Sequence, residues 1–224
     1  MEPDIASVAA LIGEPARATI LLALLDRRAL PADELAFSAN IAPQTASTHL
    51  AKLVAARLLR VETQGRHRYY RLANPLVGQA IEALGEIAPA PRAPSHRPEE
   101  WKTLRVARTY YNHLAGQLAV AIHGAFEQRG FLRRVSGRTC RLTGDGLRWF
   151  EDLDIDLHGN RGQPCGRLCI DWTERRFHIG GPLRSALLAG QCVRKWVVRL
   201  SKGRGVRLTL GGRAELERHL HLSL

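Results

Sequence analysis

The stretch from Ser38 to Leu72, SANIAPQTASTHLAKLVAARLLRVETQGRHRYYRL, admits few folds. Asn40-Ile41-Ala42 reads as a turn. Pro43 then suits the first position of a helix, where its missing N–H would have had no partner. Ala46, Leu50 and Leu53 fall at i, i+4 and i+7, the spacing of a buried helical stripe, and Arg57 continues that row as an amphipathic stem. On a helical wheel Gln44, Thr48 and Lys52 take the opposite face, flanked by Thr45 and Ser47. That face is small, hydroxylated and singly basic, as a helix entering a major groove requires. Next, Leu59 and Val61 alternate with Arg60 and Glu62, and Tyr70 and Leu72 alternate with Tyr69 and Arg71, as in two half-buried strands. Gln64-Gly65 supplies the turn between them, and Arg66-His67-Arg68 stands at its tip, placed to grip phosphate or probe a minor groove. The order of turn, helix and basic hairpin predicts a winged helix-turn-helix whose partner is double-stranded DNA.

Residues 5 to 88 resemble the ArsR-type winged-helix repressors. The matching pieces are Leu11-Ile12-Gly13-Glu14-Pro15-Ala16-Arg17, Ile20-Leu21, Leu35-Ala36, Gln44 to Leu50, Leu53, and Gly65 to Leu72. The resemblance implies a homodimer on a roughly palindromic operator, usually a repressor released by an effector. It also implies that Ser47, Thr48 and His49 lie at the DNA. The helical wheel agrees for the first two, whereas His49 falls toward the core-flanking side, where a packing role competes. The DNA-facing set is thus Gln44, Thr45, Ser47, Thr48, His49, Lys52, Arg60, Arg66, His67 and Arg68. Two departures matter. Many ArsR-type metal sensors carry a cysteine pair before the turn, where this chain has Leu30-Pro31-Ala32-Asp33-Glu34-Leu35. Others ligate metal on the helix after the wing, where Asn74 to Ala88 offers only Glu82 and Glu86. Neither site can be assembled from these ligands, so no metal site is assigned and the cofactor is left open.

Charge agrees with a nucleic-acid partner. The chain carries 33 Lys+Arg against 21 Asp+Glu, a net +12, with the excess wholly beyond residue 88. Residues 43 to 73 nevertheless hold Lys52, Arg57, Arg60, Arg66, Arg68 and Arg71 against Glu62 alone, a locally positive face. Glu2 and Asp4 at the start do not suit a signal peptide, and the apolar run Ile20 to Leu25 is far too short for a membrane span. Four cysteines do not suggest a disulfide-framed secreted domain. A cytoplasmic protein without a membrane partner is the expectation. No nucleophile elbow or phosphate loop is present, so an enzyme is not expected.

The expected fold class is mainly α with small β wings. Short helices are read at Ile5 to Ile12, Ala16 to Leu25, Pro31 to Phe37 and Asn74 to Ala88. On the last, Leu76, Val77, Ala80, Ile81, Leu84 and Ile87 form an apolar stripe suited to a dimer interface or to packing within the monomer. The expected domains are a DNA-binding domain at 1–88, a proline-rich linker at 89–100 and a C-terminal regulatory domain at 101–224. That last part repeats internally. His113-Leu114-Ala115-Gly116-Gln117-Leu118 parallels His178-Ile179-Gly180-Gly181-Pro182-Leu183 at an offset of 65, and Arg141-Leu142-Thr143 parallels Arg207-Leu208-Thr209 at 66. Two related helix–hairpin units, about 101–157 and 165–222, follow as degenerate winged helices.

A cleft between such units is where an effector is expected. The candidates are His113, Cys165, Cys169, Asp171, Trp172 and His178. Leu168, Ile170 and Trp172 should share one strand face, leaving Cys169 and Asp171 on the other. The effector is either a small molecule or, alternatively, a soft metal or oxidant met by Cys165, Cys169 and His178. A Cys/His enzyme is a further alternative.

Overall fold

The structure, a computed structural model, describes residues 2–26, 28–65, 67–89, 98–110, 113–157, 166–201 and 203–223. The chain divides into two compact units, Met1–Gly85 and Glu86–Leu224. No single helix among the described residues is long and apolar enough to cross a membrane.

In the first unit the order is α1 (Ile5–Ile12), α2 (Pro15–Ala23), a 3-10 turn (Leu24–Asp26), β1 (Leu30–Pro31), α3 (Ala32–Ala39), α4 (Pro43–Ala55), β2 (Leu59–Gln64), β3 (His67–Leu72) and α5 (Pro75–Ile87). Local chemistry sets the boundaries. Asp4 caps α1 by accepting from Ser7 N at 3.0 Å, and the Glu14 carboxylate caps α2 through Ala16 N and Arg17 N. Asn40 ends α3 in the left-handed region, φ 55° and ψ 47°, where asparagine is among the least strained non-glycine residues. Ile41 N then reaches back to Ala36 O at 3.1 Å, closing the helix end. Ile20, Leu21, Leu24, Leu25, Leu35, Ala46, Leu50 and Leu53 are fully buried and form the core.

Several expectations need correction. Pro31 belongs to β1 and precedes α3, because its extended backbone lets Leu30 and Pro31 pair with Tyr70 and Tyr69 at the edge of a three-stranded sheet ordered β1-β3-β2. Arg57 does not extend the α4 stripe: the helix stops at Ala55 and Arg57 turns left-handed at φ 58°. Pairing of β2 with β3 runs to Gln64↔His67, so the turn starts at Gly65 (φ 59°), and His67 and Arg68 lie in β3 rather than at the tip. In β2 only Leu59 is buried, so Val61 does not alternate inward.

The second unit opens with α6 (Pro98–Val106). Two successive stretches then have the same order of elements. The first is β4 (Arg108–Tyr110), β5 (His113–Ala115), α7 (Gln117–Gln128), β6 (Leu132–Ser136), β7 (Thr139–Leu142) and α8 (Gly144–Asp152). The second is β8 (Gly166–Ile170), β9 (Phe177–Ile179), α9 (Pro182–Val193), β10 (Val197–Arg199), β11 (Val206–Leu208) and α10 (Leu210–Leu220). The closing helices are capped alike: Thr143 accepts from Gly146 N at 3.1 Å and Thr209 from Gly212 N at 2.8 Å. Both glycines are needed for close approach, since a Cβ would lie 2.2 Å from Phe131 O in one case and 2.0 Å from Trp196 O in the other.

The two stretches also exchange strands. β7 pairs with β8 through Thr139↔Arg167 and Cys140↔Gly166, making a four-stranded sheet β6-β7-β8-β9. In return β4 meets the β10–β11 hairpin: Arg108 bridges Gly205, Thr109 N donates to Arg204 O at 2.8 Å, and Val206 N donates to Ala107 O at 2.9 Å. Each stretch therefore lends its second hairpin to the first hairpin of the other. The shared core includes Phe126, Phe150, Leu168 and Leu216, with Phe126 edge-on to Trp149 at 5.0 Å.

Candidate nucleic-acid interface and buried polar cluster

In the first unit, burial of Ala46, Leu50 and Leu53 fixes which side of α4 faces out. Gln44, Thr45, Ser47, Thr48 and Lys52 are all exposed on it. Ser47 Oγ donates to Pro43 O at 3.0 Å and Thr48 Oγ1 to Gln44 O at 3.2 Å. Each hydroxyl proton is thus directed at the helix, and the oxygen lone pairs remain outward as acceptors suited to base amino groups. The threonine methyl adds an apolar contact for thymine.

His49 departs from this set. Its Nδ1 sits 3.2 Å from Arg17 Nη1 and 3.7 Å from Glu14 Oε2. Arg17 in turn donates Nε to Leu11 O at 2.7 Å and Nη2 to Ala10 O at 3.0 Å. Arg17 is nine-tenths buried, so these bonds satisfy a charge held out of water while fastening the end of α1 to α2 and α4. His49 belongs to that brace, the packing role that its core-flanking position allowed. The sequence signal was available in the Glu14-Pro15-Ala16-Arg17 turn, but the partner lies 32 residues away.

On the wing, Arg60 Nη2 lies 3.4 Å and Arg71 Nη2 2.8 Å from opposite oxygens of Glu62. These are exposed pairs of small energetic weight, and they leave Arg60 oriented along the strand. His67 and Arg68 are exposed near the hairpin end. Arg66 lies outside the described residues.

In the second unit, Asp171 is wholly buried and engaged on both oxygens. Oδ2 accepts from Arg108 Nη2 at 2.9 Å and Gly116 N at 2.7 Å. Oδ1 accepts from Thr173 N at 2.9 Å, Thr173 Oγ1 at 2.7 Å and Glu174 N at 3.1 Å. Burial works to raise its pKa, but the Arg108 charge and these hydrogen bonds outweigh it and hold the carboxyl well below the usual range. Arg108 is itself fully buried and stacks 4.7 Å from the Trp172 ring. Asp171 and Trp172 therefore hold β4 to the β8–β9 hairpin. Asp171 does not serve as an effector contact here, because no oxygen of it is left for a ligand.

His113 and His178 do meet. Their Nε2 atoms are 2.9 Å apart and the rings stack at 5.0 Å. One ring must donate and the other accept, so the pair is neutral and the accepting ring carries its proton on Nδ1. Burial first, then the charges of His178, Arg184 and Arg108, push His113 well below its ordinary value. Burial likewise lowers His178 to about 4, with Arg108, His123 and Arg184 adding to the shift and Asp171 opposing it. Cys169 stands across the strand from His178, but its Sγ is directed to Arg167 O at 3.9 Å. Cys165 lies outside the described residues. Among the described residues no three His, Cys, Asp or Glu come together as metal ligands.

Beside the imidazoles is a narrow, partly open cleft of about 20 Å³, room for about one water molecule. His113, Leu114, Ala119 and Ile122 line one side, and Ile179, Arg184, Leu187 and Gln191 the other. Of these, only His113 was singled out by sequence. Arg184 and Gln191 were missed because the repeat was matched on its turns and not carried through the helices between them.

Comparison with known proteins supplies four similarities. A helix-turn-helix domain family matches residues 12–62. Over 227 aligned residues, covering all of both chains, the sequence is 42% identical to the HTH-type transcriptional regulator YdfF of Bacillus subtilis. Among solved structures, HlyU from Vibrio cholerae is 27% identical, covering 39% of this chain and 97% of that one, with a TM-score of 0.35. The homodimeric winged helix-turn-helix DNA-binding domain of Mb0332 from Mycobacterium bovis is 25% identical, covering 36% of this chain and 73% of that one, at a TM-score of 0.33.

Proposed function

Since the chain belongs to the helix-turn-helix transcriptional regulators, we propose that it is a dimeric repressor that α4 and the wing seat on a roughly palindromic operator. An effector received by the C-terminal unit would release it. The observation that carries the DNA-reading part is the α4 face itself. Gln44, Thr45, Ser47, Thr48 and Lys52 are exposed together on a helix whose rotation is fixed by three fully buried side chains. Such a face costs nothing in the monomer and matches the hydrogen-bonding groups of base edges. Arg68 and His67 extend it with charge for phosphate, as does Arg66 on sequence grounds.

Dimerisation is supported by apolar side chains that the first unit leaves outside its own core. On α1, which buries no residue, Ile5 and Val8 are exposed. On α5, Val77 and Ile81 are buried while Leu76, Leu84 and Ile87 are exposed, so its apolar stripe is wider than the fold beneath it needs.

Selection of bound duplexes from a random pool, followed by footprinting and salt titration, tests the reading. Two half-sites related by a two-fold axis and centred about one helical turn apart are expected. Thr48→Ala should relax sequence preference by about 1 kcal/mol or more at one base pair. Arg68→Ala should weaken all sequences alike and reduce the salt slope by about one. Equal effects of the two substitutions, or salt-insensitive binding, would refute these roles.

A further inference from the structure

The sheet β6-β7-β8-β9 turns one face to the core and leaves part of the other to solvent. Leu132, Cys140, Leu142, Gly166 and Leu168 are buried, so the residues between them along each strand face the other way. Arg133 and Arg141 pair directly across β6 and β7, and Thr139, two residues before Arg141, pairs with Arg167 of β8. The three arginines therefore share one face, and all three are exposed. Side chains so placed start about 5 Å apart when directly opposite and about 7 to 8 Å apart on the diagonal.

Like charges directly opposite one another in a sheet cost stability, and nothing within the sheet offsets that cost. Its four strands hold Arg133, Arg134, Arg141 and Arg167 and no Asp or Glu. Among the described residues of this unit Arg105, Arg108, Arg138, Arg148 and Arg218 have carboxylate partners, and none of the three does. The fold does not demand the pair either. In the corresponding hairpin β10–β11 the residue opposite Arg207 is the half-buried Val198. A repulsive row present in one stretch and absent from the other is explained by an anion that comes from outside the chain.

We propose that this face binds the phosphate backbone of duplex DNA, which gives the second unit a contact of its own in addition to the base-reading face of α4. Guanidinium groups on long stems at this spacing can each take a phosphate, with two N–H groups directed at its oxygens. The whole positive excess of the chain lies beyond residue 88, where such a contact would use it. Phosphate contacts carry no sequence information, so the face adds affinity and salt dependence rather than preference. The choice of duplex as occupant rests on reading the first unit as a DNA-binding head. Because both units belong to one chain, a duplex held by α4 is offered to the second at a raised effective concentration.

Anisotropy titrations of the full chain test this with two long labelled duplexes, the selected operator within flanks and an unrelated sequence. In Arg133→Gln/Arg141→Gln/Arg167→Gln the slope of log affinity against log salt should shrink by about 0.9 for each arginine lost. At about 50 mM salt both duplexes should bind at least about tenfold more weakly, with their affinity ratio held within about twofold. The triple lysine variant, which keeps the charge, should keep the slope. The thermal midpoint of the glutamine variant should be no lower than the parent's, since a repulsion is removed. Should that variant not fold, Arg141→Gln alone decides the matter through a slope reduced by about 0.9. The inference is overturned if the glutamine variant keeps the parent's slope on both duplexes, or if the parent binds neither duplex at low salt. It is also overturned if phosphatidylserine vesicles require these arginines while duplex does not, which would assign the face to a lipid surface. Failure of the operator reading is distinct: the parent then selects no preferred sequence, yet the variant still loses affinity for unrelated duplex.

Discussion

Acidification should destabilise the second unit well before its carboxylates titrate, and the cause is the burial of His113 and His178. In the folded chain His178 titrates at about 4, against an ordinary value of 6.5. Below about pH 6.5 the unfolded chain takes up a proton that the folded chain refuses, so stability falls with pH through that window. Between pH 7.5 and pH 4.5 the loss from His178 alone is about 2 to 3 kcal/mol, a large share of the stability of a domain this size. His113 is shifted in the same direction and adds to it. His123, lowered chiefly by burial, contributes with the same sign. Asp171 does not, because its stabilisation is complete above the ordinary carboxylate range and is lost only below it. All four tryptophans, Trp101, Trp149, Trp172 and Trp196, lie in this unit, so their fluorescence reports its unfolding alone. Urea midpoints should fall by about 1 to 2 M over those three pH units. His178→Gln, which keeps an amide donor facing His113 but cannot titrate, should flatten much of the dependence, and His113→Gln should remove only the part that His113 adds. Midpoints constant from pH 7.5 to 4.5, or full pH dependence in both variants, would refute the reasoning.

Two further outcomes follow from single contacts. Arg108→Met leaves the Asp171 carboxylate buried without its counter-charge and should cost about 3 to 5 kcal/mol in calorimetry, with part of it recovered in Arg108→Met/Asp171→Leu. Leu84→Glu places a charge on the exposed apolar side of α5 and should convert the proposed dimer to monomer in sedimentation velocity while leaving the unfolding free energy of the first unit within about 1 kcal/mol of the parent's.

The first unit was legible wherever its determinants are local. The start and rotation of α4 could be placed because Asn40, Pro43 and the Ala46-Leu50-Leu53 stripe act within one or two turns. β1 could not, because two residues carry no periodicity and become a strand only when β3, some forty residues later, offers its edge. A similar distance hid the Glu14–Arg17–His49 brace, which ties His49 of α4 to the turn before α2. Arg57 failed for a different reason: a helix that must stop before β2 needs a left-handed residue, and the stripe gave no sign of the stop. In the second unit the repeated His-x-x-Gly and Arg-Leu-Thr blocks revealed two similar stretches. Nothing in their spacing disclosed that each stretch pairs its hairpins with the other.

That reciprocal pairing accounts for the histidine contact and for the place of the cavity. When two copies of one motif associate face to face, each residue near the two-fold axis meets its own counterpart, as in an isologous dimer. One contact here joins such counterparts: His113 with His178, which hold matching places in β5 and β9. It lies on what would be the axis between the stretches. Had the stretches stayed identical, a site on that axis would offer the same groups twice and hold only a symmetric ligand. Arg184 against Ala119 and Gln191 against Phe126 break that equivalence on one side. Fusion of the two stretches into one chain is what permits this, since in a homodimer every such change would appear in both halves.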